Sequence, residues 1–162
     1  MSTLKDAGFA PARYENGRAF TIAGLGERYT QQTLQGIPVL WQRFAHHIGK
    51  VPGQVGHDTY GLCCNPDGQG GFEYIAGVEV TSTEALAQTF RWYALAPQHY
   101  AVFEHRGAIS AIGQTFERIW KEWLPGSGEQ AADAPEFERY SADYDPGSDN
   151  NVVEIWLPLK AR

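Results

Sequence analysis

Apolar residues along this chain change their spacing in a fixed order, and the order is run through twice. Residues 18–23 read as a strand leading into Gly24-Leu-Gly26, which reads as a turn. Leu34, Ile37, Leu40, Trp41, Phe44 and Ile48 then recur at steps of three and four, the mark of a helix with one apolar face. Pro38 suits the first helical turn, where its missing N–H costs nothing, and Gly49 and Pro52 mark the exit. Residues 59–64 and 71–80 follow as a hairpin around Asn65-Pro-Asp-Gly68, whose residue types each favour a turn.

The second half repeats this plan. Residues 99–104 form a strand ending at Gly107, and Ile109, Ile112, Phe116, Ile119, Trp120 and Trp123 make a helical stripe closed by Leu124-Pro-Gly126. Residues 137–144 and 152–159 make the last hairpin around Asp145-Pro-Gly147, and residues 91–96 read as a further strand in the connection between halves. Displaced by about 80 positions, Phe20-Thr-Ile22 falls on Tyr100-Ala-Val102, Leu40 on Trp120, Phe44 on Leu124, Tyr60 on Tyr140 and Ile75 on Ile155. Two strand-helix-strand-strand modules, about 13–82 and 90–160, follow an N-terminal tail at 1–12 and make one domain over 13–162. Helices set between hairpin strands predict an α+β fold: the modules pack around a pseudo-twofold axis, with helices on one sheet face and a ligand cleft on the other.

Within that frame the last strand is chemically odd. In Asn151-Val-Val-Glu-Ile-Trp-Leu-Pro-Leu159, alternation puts Val153, Ile155 and Leu157 on one face and Glu154 with Trp156 on the other. A carboxylate in so apolar a strand is costly unless a cation or hydrogen-bond donor meets it. Glu154 and Trp156 thereby predict a pocket for a cationic, partly aromatic small molecule. The displacement sets Tyr74 opposite Glu154 and pairs Tyr60 with Tyr140, so these three are candidate aromatic walls. Trp41, beside the first helical stripe, and Phe103 complete the candidate ligand-binding set. Trp120 and Trp123 fit the second stripe and read as core. Glu73, Glu79, Glu104 and Glu138 read as rim acids, with Glu104 and Glu138 eligible as a second acid beside a phenol.

Composition narrows the classes. A chain of 162 residues buries roughly 70% of its unfolded surface and needs neither disulfide nor metal to fold. Thirteen Lys and Arg against nineteen Asp and Glu leave a net charge of −6, which argues against a nucleic-acid surface. Cys63 and Cys64 are adjacent, with no C-x-x-C spacing, so core thiols in a reducing compartment are expected. The five histidines show no ligand spacing and predict no metal; Gly24-Leu-Gly26 lacks the third glycine of a dinucleotide fingerprint, so no cofactor is expected. There is no signal-peptide core and no run of about 18 apolar residues, so a cytoplasmic protein without a membrane span is expected.

Seven segments taken in order resemble the GyrI-like small-molecule-binding family, the effector-binding domain of AraC- and MerR-type multidrug regulators. They are Leu40-Trp-Gln-Arg-Phe44, Tyr60-Gly61, Phe72-Glu-Tyr-Ile-Ala-Gly-Val-Glu-Val80, Tyr100-Ala-Val-Phe-Glu-His-Arg-Gly107, Trp123-Leu-Pro125, Phe137-Glu-Arg-Tyr140 and Val153-Glu-Ile-Trp-Leu-Pro-Leu159. The resemblance implies a ligand held between two modules, with an acid on the final strand, here Glu154, meeting lipophilic cations amid aromatic rings. It implies three roles: binding or sequestering a hydrophobic cation, hydrolysing a reactive cyclopropane-type toxin with Glu154 and a tyrosine, or inhibiting a protein partner such as DNA gyrase. Family regulators carry a helix-turn-helix as well; this chain opens directly on the domain, so no direct nucleic-acid contact is expected.

Overall fold

The computed structural model describes residues 9–161, so the first eight residues of the expected tail lie outside the described region. Eight strands form one antiparallel sheet: β1 (Arg13–Gly17), β2 (Phe20–Tyr29), β3 (Thr59–Cys64), β4 (Phe72–Val80), β5 (Arg91–Leu95), β6 (Gln98–Arg106), β7 (Glu136–Tyr140) and β8 (Val152–Leu159). Their spatial order is β1-β6-β8-β7-β3-β4-β2-β5. The fold is therefore α+β, with β2-β3-β4 and β6-β7-β8 as equivalent units meeting at the β3–β7 pair, where Thr59 faces Tyr140 and Gly61 faces Glu138.

The flanking strands are exchanged. β1 leads into β2 yet pairs with β6, and β5 leads into β6 yet pairs with β2. Each link is two residues, which reaches no further than about 10 Å. A sheet whose opposite ends are joined so briefly must curl. Inside the curl Ile22, Tyr60, Leu62, Ile75, Tyr100, Val102 and Phe137 form one buried cluster. The ring centroids of Tyr60 and Phe137 lie 5.8 Å apart, Tyr100 and Phe137 5.5 Å, and Trp156 stacks on Phe137 at 5.3 Å. The face expected to carry a cleft is thus filled by packed rings.

Both helices lie on the outer face. Leu40 and Phe44 of α1 (Ile37–Phe44) bury against Leu25, Tyr74, Ala76 and Val78, with Pro38 in the first turn as expected. Below the second helix, Phe103, Ile155, Leu157 and Leu159 pack with Ile119, Phe116 and Trp123. That helix is broken into α2 (Ile112–Arg118), a π-helical turn over Ile119–Trp123, and α3 (Leu124–Ser127). The wide turn separates two tryptophans assigned to one stripe: Trp123 packs 5.0 Å from Phe103, while Trp120 is 43% exposed.

Two expectations change in detail. Gly24 and Gly26 do not turn the chain but lie within β2, because a Cβ on Gly24 would come 1.9 Å from the Ala76 carbonyl oxygen of β4. Helix-facing residues of β4 are even-numbered and those of β8 odd-numbered, so a displacement of 80 cannot superpose them. Tyr74 and Glu154 consequently point to opposite faces.

Candidate functional site

Between the two helices the sheet's outer face is floored by β3 and β7. Alternation turns Glu136, Glu138 and Tyr140 outward and Phe137 and Arg139 into the curl. Glu138 is buried, and its Oε1 accepts hydrogen bonds from the hydroxyls of Tyr74 at 2.7 Å and Tyr140 at 2.6 Å. Trp41 of α1 donates its indole N–H to the Tyr74 oxygen at 3.0 Å and sets its ring edge-on to Tyr140 at 5.2 Å. Tyr144 meets the other side of Tyr140 at 4.8 Å. Gly61 supplies the space for this convergence, since a Cβ there would stand 1.9 Å from the Tyr74 hydroxyl and 2.6 Å from Glu138 Oε1.

The electrostatics follow from enclosure. Burial pushes the Glu138 carboxyl above the usual carboxylate range, although both phenolic hydrogen bonds pull the other way. Tyr74 and Tyr140 are held well above their ordinary value, first by burial and next by the Glu138 charge. Two residues along the same face, burial pushes Glu136 up to about 7 against the opposing hydrogen bond from Trp120, whose indole N–H donates at 3.1 Å. The site thus holds an acid with no cationic hydrogen-bond partner among the described residues, under aromatic cover. Among those residues no group of three His, Cys, Asp or Glu is placed to hold a metal ion.

A family model described as the GyrI-like small molecule binding domain matches residues 13–160. The chain belongs to this GyrI-like family. It is 29% identical over 153 residues to the transcriptional regulator BrlR of Pseudomonas aeruginosa, a match covering 91% of this chain and 55% of the regulator. The GyrI-like chain therefore spans about half the length of that curated relative. Among solved structures, a putative bacterial transcription regulation protein from Staphylococcus aureus MU50 is 27% identical with a TM-score of 0.74, over 92% of this chain and 97% of that one. The structure of SAV2435 bound to tetraphenylphosphonium is 26% identical with a TM-score of 0.75, over 92% and 93%.

Within the GyrI-like fold, the seven residues singled out from sequence do not come together. Tyr74, Tyr140 and Trp41 meet at Glu138. Tyr60 and Trp156 pack inside the curl, and Phe103 lies beneath the second helix. Glu154 also faces the curl, half-buried, where Arg13 reaches its Oε2 at 2.9 Å, Arg139 lies 3.5 Å from Oε1, and the Trp156 N–H donates to Oε1 at 3.0 Å. Burial raises its pKa, but these hydrogen bonds and charges outweigh that and leave it lowered. Its cationic partners are the protein's own. From sequence Glu138 reads as a rim acid, eligible as a second acid beside a phenol, because Phe137-Glu-Arg-Tyr140 alternates like any half-exposed strand. The adjacent signal was Gly61, which register sets opposite Glu138 and whose missing side chain leaves room for a phenol.

Proposed function

We propose that this chain binds a hydrophobic organic cation in the groove between α1 and α2, with Glu138 as counter-charge and Trp41, Tyr74 and Tyr140 as the aromatic wall. The carrying observation is a buried carboxylate whose hydrogen-bond partners are phenols and whose Oε2 accepts no hydrogen bond among the described residues. Ionising such a group without a cation is costly, and a cation that arrives with its own apolar surface removes the cost. At 4 Å and an effective dielectric near 20 the charge pair gains about 4 kcal/mol, and each ring under the cation adds about 0.5–2 kcal/mol. That SAV2435 is bound to tetraphenylphosphonium, a cation without hydrogen-bond donors, supports the same chemistry here. On this reading Trp41 leaves Tyr74 as the cation enters, freeing the indole beside the Tyr140 ring to face it.

Calorimetric titration of tetraphenylphosphonium into wild type, Glu138→Gln and Glu154→Gln tests the assignment. Glu138→Gln weakens binding about tenfold or more, while Glu154→Gln stays within about threefold of wild type. A Glu138→Gln protein that binds like wild type, or a loss confined to Glu154→Gln, overturns it.

Hydrolysis of an electrophilic toxin is a second reading, and one observation favours it. A carboxyl with a raised pKa and an unengaged oxygen, flanked by two phenols, is equipped for general acid–base work. Mass spectrometry after incubation with a strained electrophile separates the readings. Turnover supports hydrolysis, and recovery of unmodified compound leaves capture.

A further inference from the structure

One step along β7 from Glu138 lies a cavity of about 380 Å³ whose lining carries charge of one sign. Trp120, Tyr93, Phe72 and Cys63 supply much of its apolar wall, its charged groups are Glu136 and Asp133, and no Lys, Arg or His among the described residues lines it. Glu136 shares its two oxygens with a single donor, the Trp120 indole N–H, at 3.1 and 3.3 Å. Trp120 and Trp41 hold equivalent places in the two modules, each directly after a buried aliphatic residue of its helix, Ile119 and Leu40. Glu136 thus meets the Trp120 indole directly, while Glu138 meets that of Trp41 through the Tyr74 hydroxyl.

The two carboxylates are two residues apart on one strand face, hence about 7 Å apart along the strand. A single cation at Glu138 neutralises one of them and leaves the other facing an apolar cavity large enough for a substituted ammonium group.

We infer that the cavity at Glu136 is a second cation subsite next to Glu138 on the same face of β7, so that ligands bearing two positive charges about 7 Å apart are preferred over monocations. This deepens the reading of Glu138 as counter-charge and rests on it. Trp120, exposed at the rim, then acts as Trp41 does at the first subsite, offering its ring face to the cation when its N–H leaves Glu136. Asp133 at the mouth adds attraction of the same sign.

The test uses ethidium and propidium, which share a phenanthridinium ring and differ chiefly in a quaternary ammonium on a short tether in propidium. Fluorescence titrations at fixed ionic strength on wild type, Glu136→Gln and Glu138→Gln give the affinities, with thermal melts confirming that each variant is folded. Wild type should bind propidium about tenfold more tightly than ethidium. Glu136→Gln should abolish that advantage while moving ethidium less than about twofold, and Glu138→Gln should weaken both dyes. Equal affinities in wild type, or an equal loss of both dyes in Glu136→Gln, overturns the second subsite while leaving the first intact. Failure of both dyes to bind wild type overturns the underlying reading, and this inference with it.

Discussion

Glu136 makes the stability of the protein depend on pH in a definite direction. Its carboxyl is pushed by burial from 4.5 up to about 7. An acid with a raised folded pKa keeps a proton that the unfolded chain has already released, so Glu136 costs nothing below about pH 4.5 and its penalty grows as pH climbs towards about 7. The whole shift corresponds to about 3 kcal/mol. Urea unfolding of wild type and Glu136→Gln between pH 5 and 7.5 checks this: the variant should have a shallower downward slope, keeping only what Glu138 contributes, and parallel slopes would contradict it. Gly61 gives a second test. Gly61→Ala places a methyl against the Tyr74 hydroxyl, and should cost about 1–3 kcal/mol in urea unfolding together with much of the tetraphenylphosphonium affinity. Glu154→Gln should cost only about 1 kcal/mol, since the arginines it meets are partly solvated. Alternation was enough to place Glu154 and Trp156 on one strand face. Arg13 and Arg139 were not foreseeable, because one reaches Glu154 across 141 positions of sequence and the other across two paired strands.

At the scale of elements, periodicity located both helices and most strands because their apolar faces are buried in the manner the pattern implies. It failed where backbone contacts decide. β2 runs on through Gly24 and Gly26 because β4 approaches too closely for side chains, and glycine there looks like a turn until the neighbouring strand is known. The π-helical turn at Ile119–Trp123 rotates Trp120 out of the stripe that Trp123 keeps. β1 was missed altogether: its five residues alternate between partly buried and exposed and gain their place only by pairing with β6. Exchange of β1 and β5 leaves both at sheet edges, each bonded on one side. Amide hydrogen exchange should therefore be fastest among the strands in β1 and β5 and slowest in β4 and β8, which are bonded on both sides and buried. Equal protection of edge and central strands would count against this arrangement.

In the whole molecule, one sheet passes through both modules, and each lends the other an edge strand. The buried cluster inside the curl draws on both halves, so neither keeps its core alone. Heat should unfold the described domain in one transition with equal calorimetric and van't Hoff enthalpies, and two resolved transitions would mean that the modules are independent. The same joining explains the site. Glu138 comes from one module and Tyr74, Trp41 and Gly61 from the other, so the acid is enclosed only where the modules meet. The most direct measurement is a crystal structure of the tetraphenylphosphonium complex. The phosphorus should lie within about 6 Å of the Glu138 carboxylate, with the Trp41 indole turned off Tyr74. A cation seated against Glu154 and Trp156, with the Trp41–Tyr74 hydrogen bond intact, would contradict the assignment of this groove.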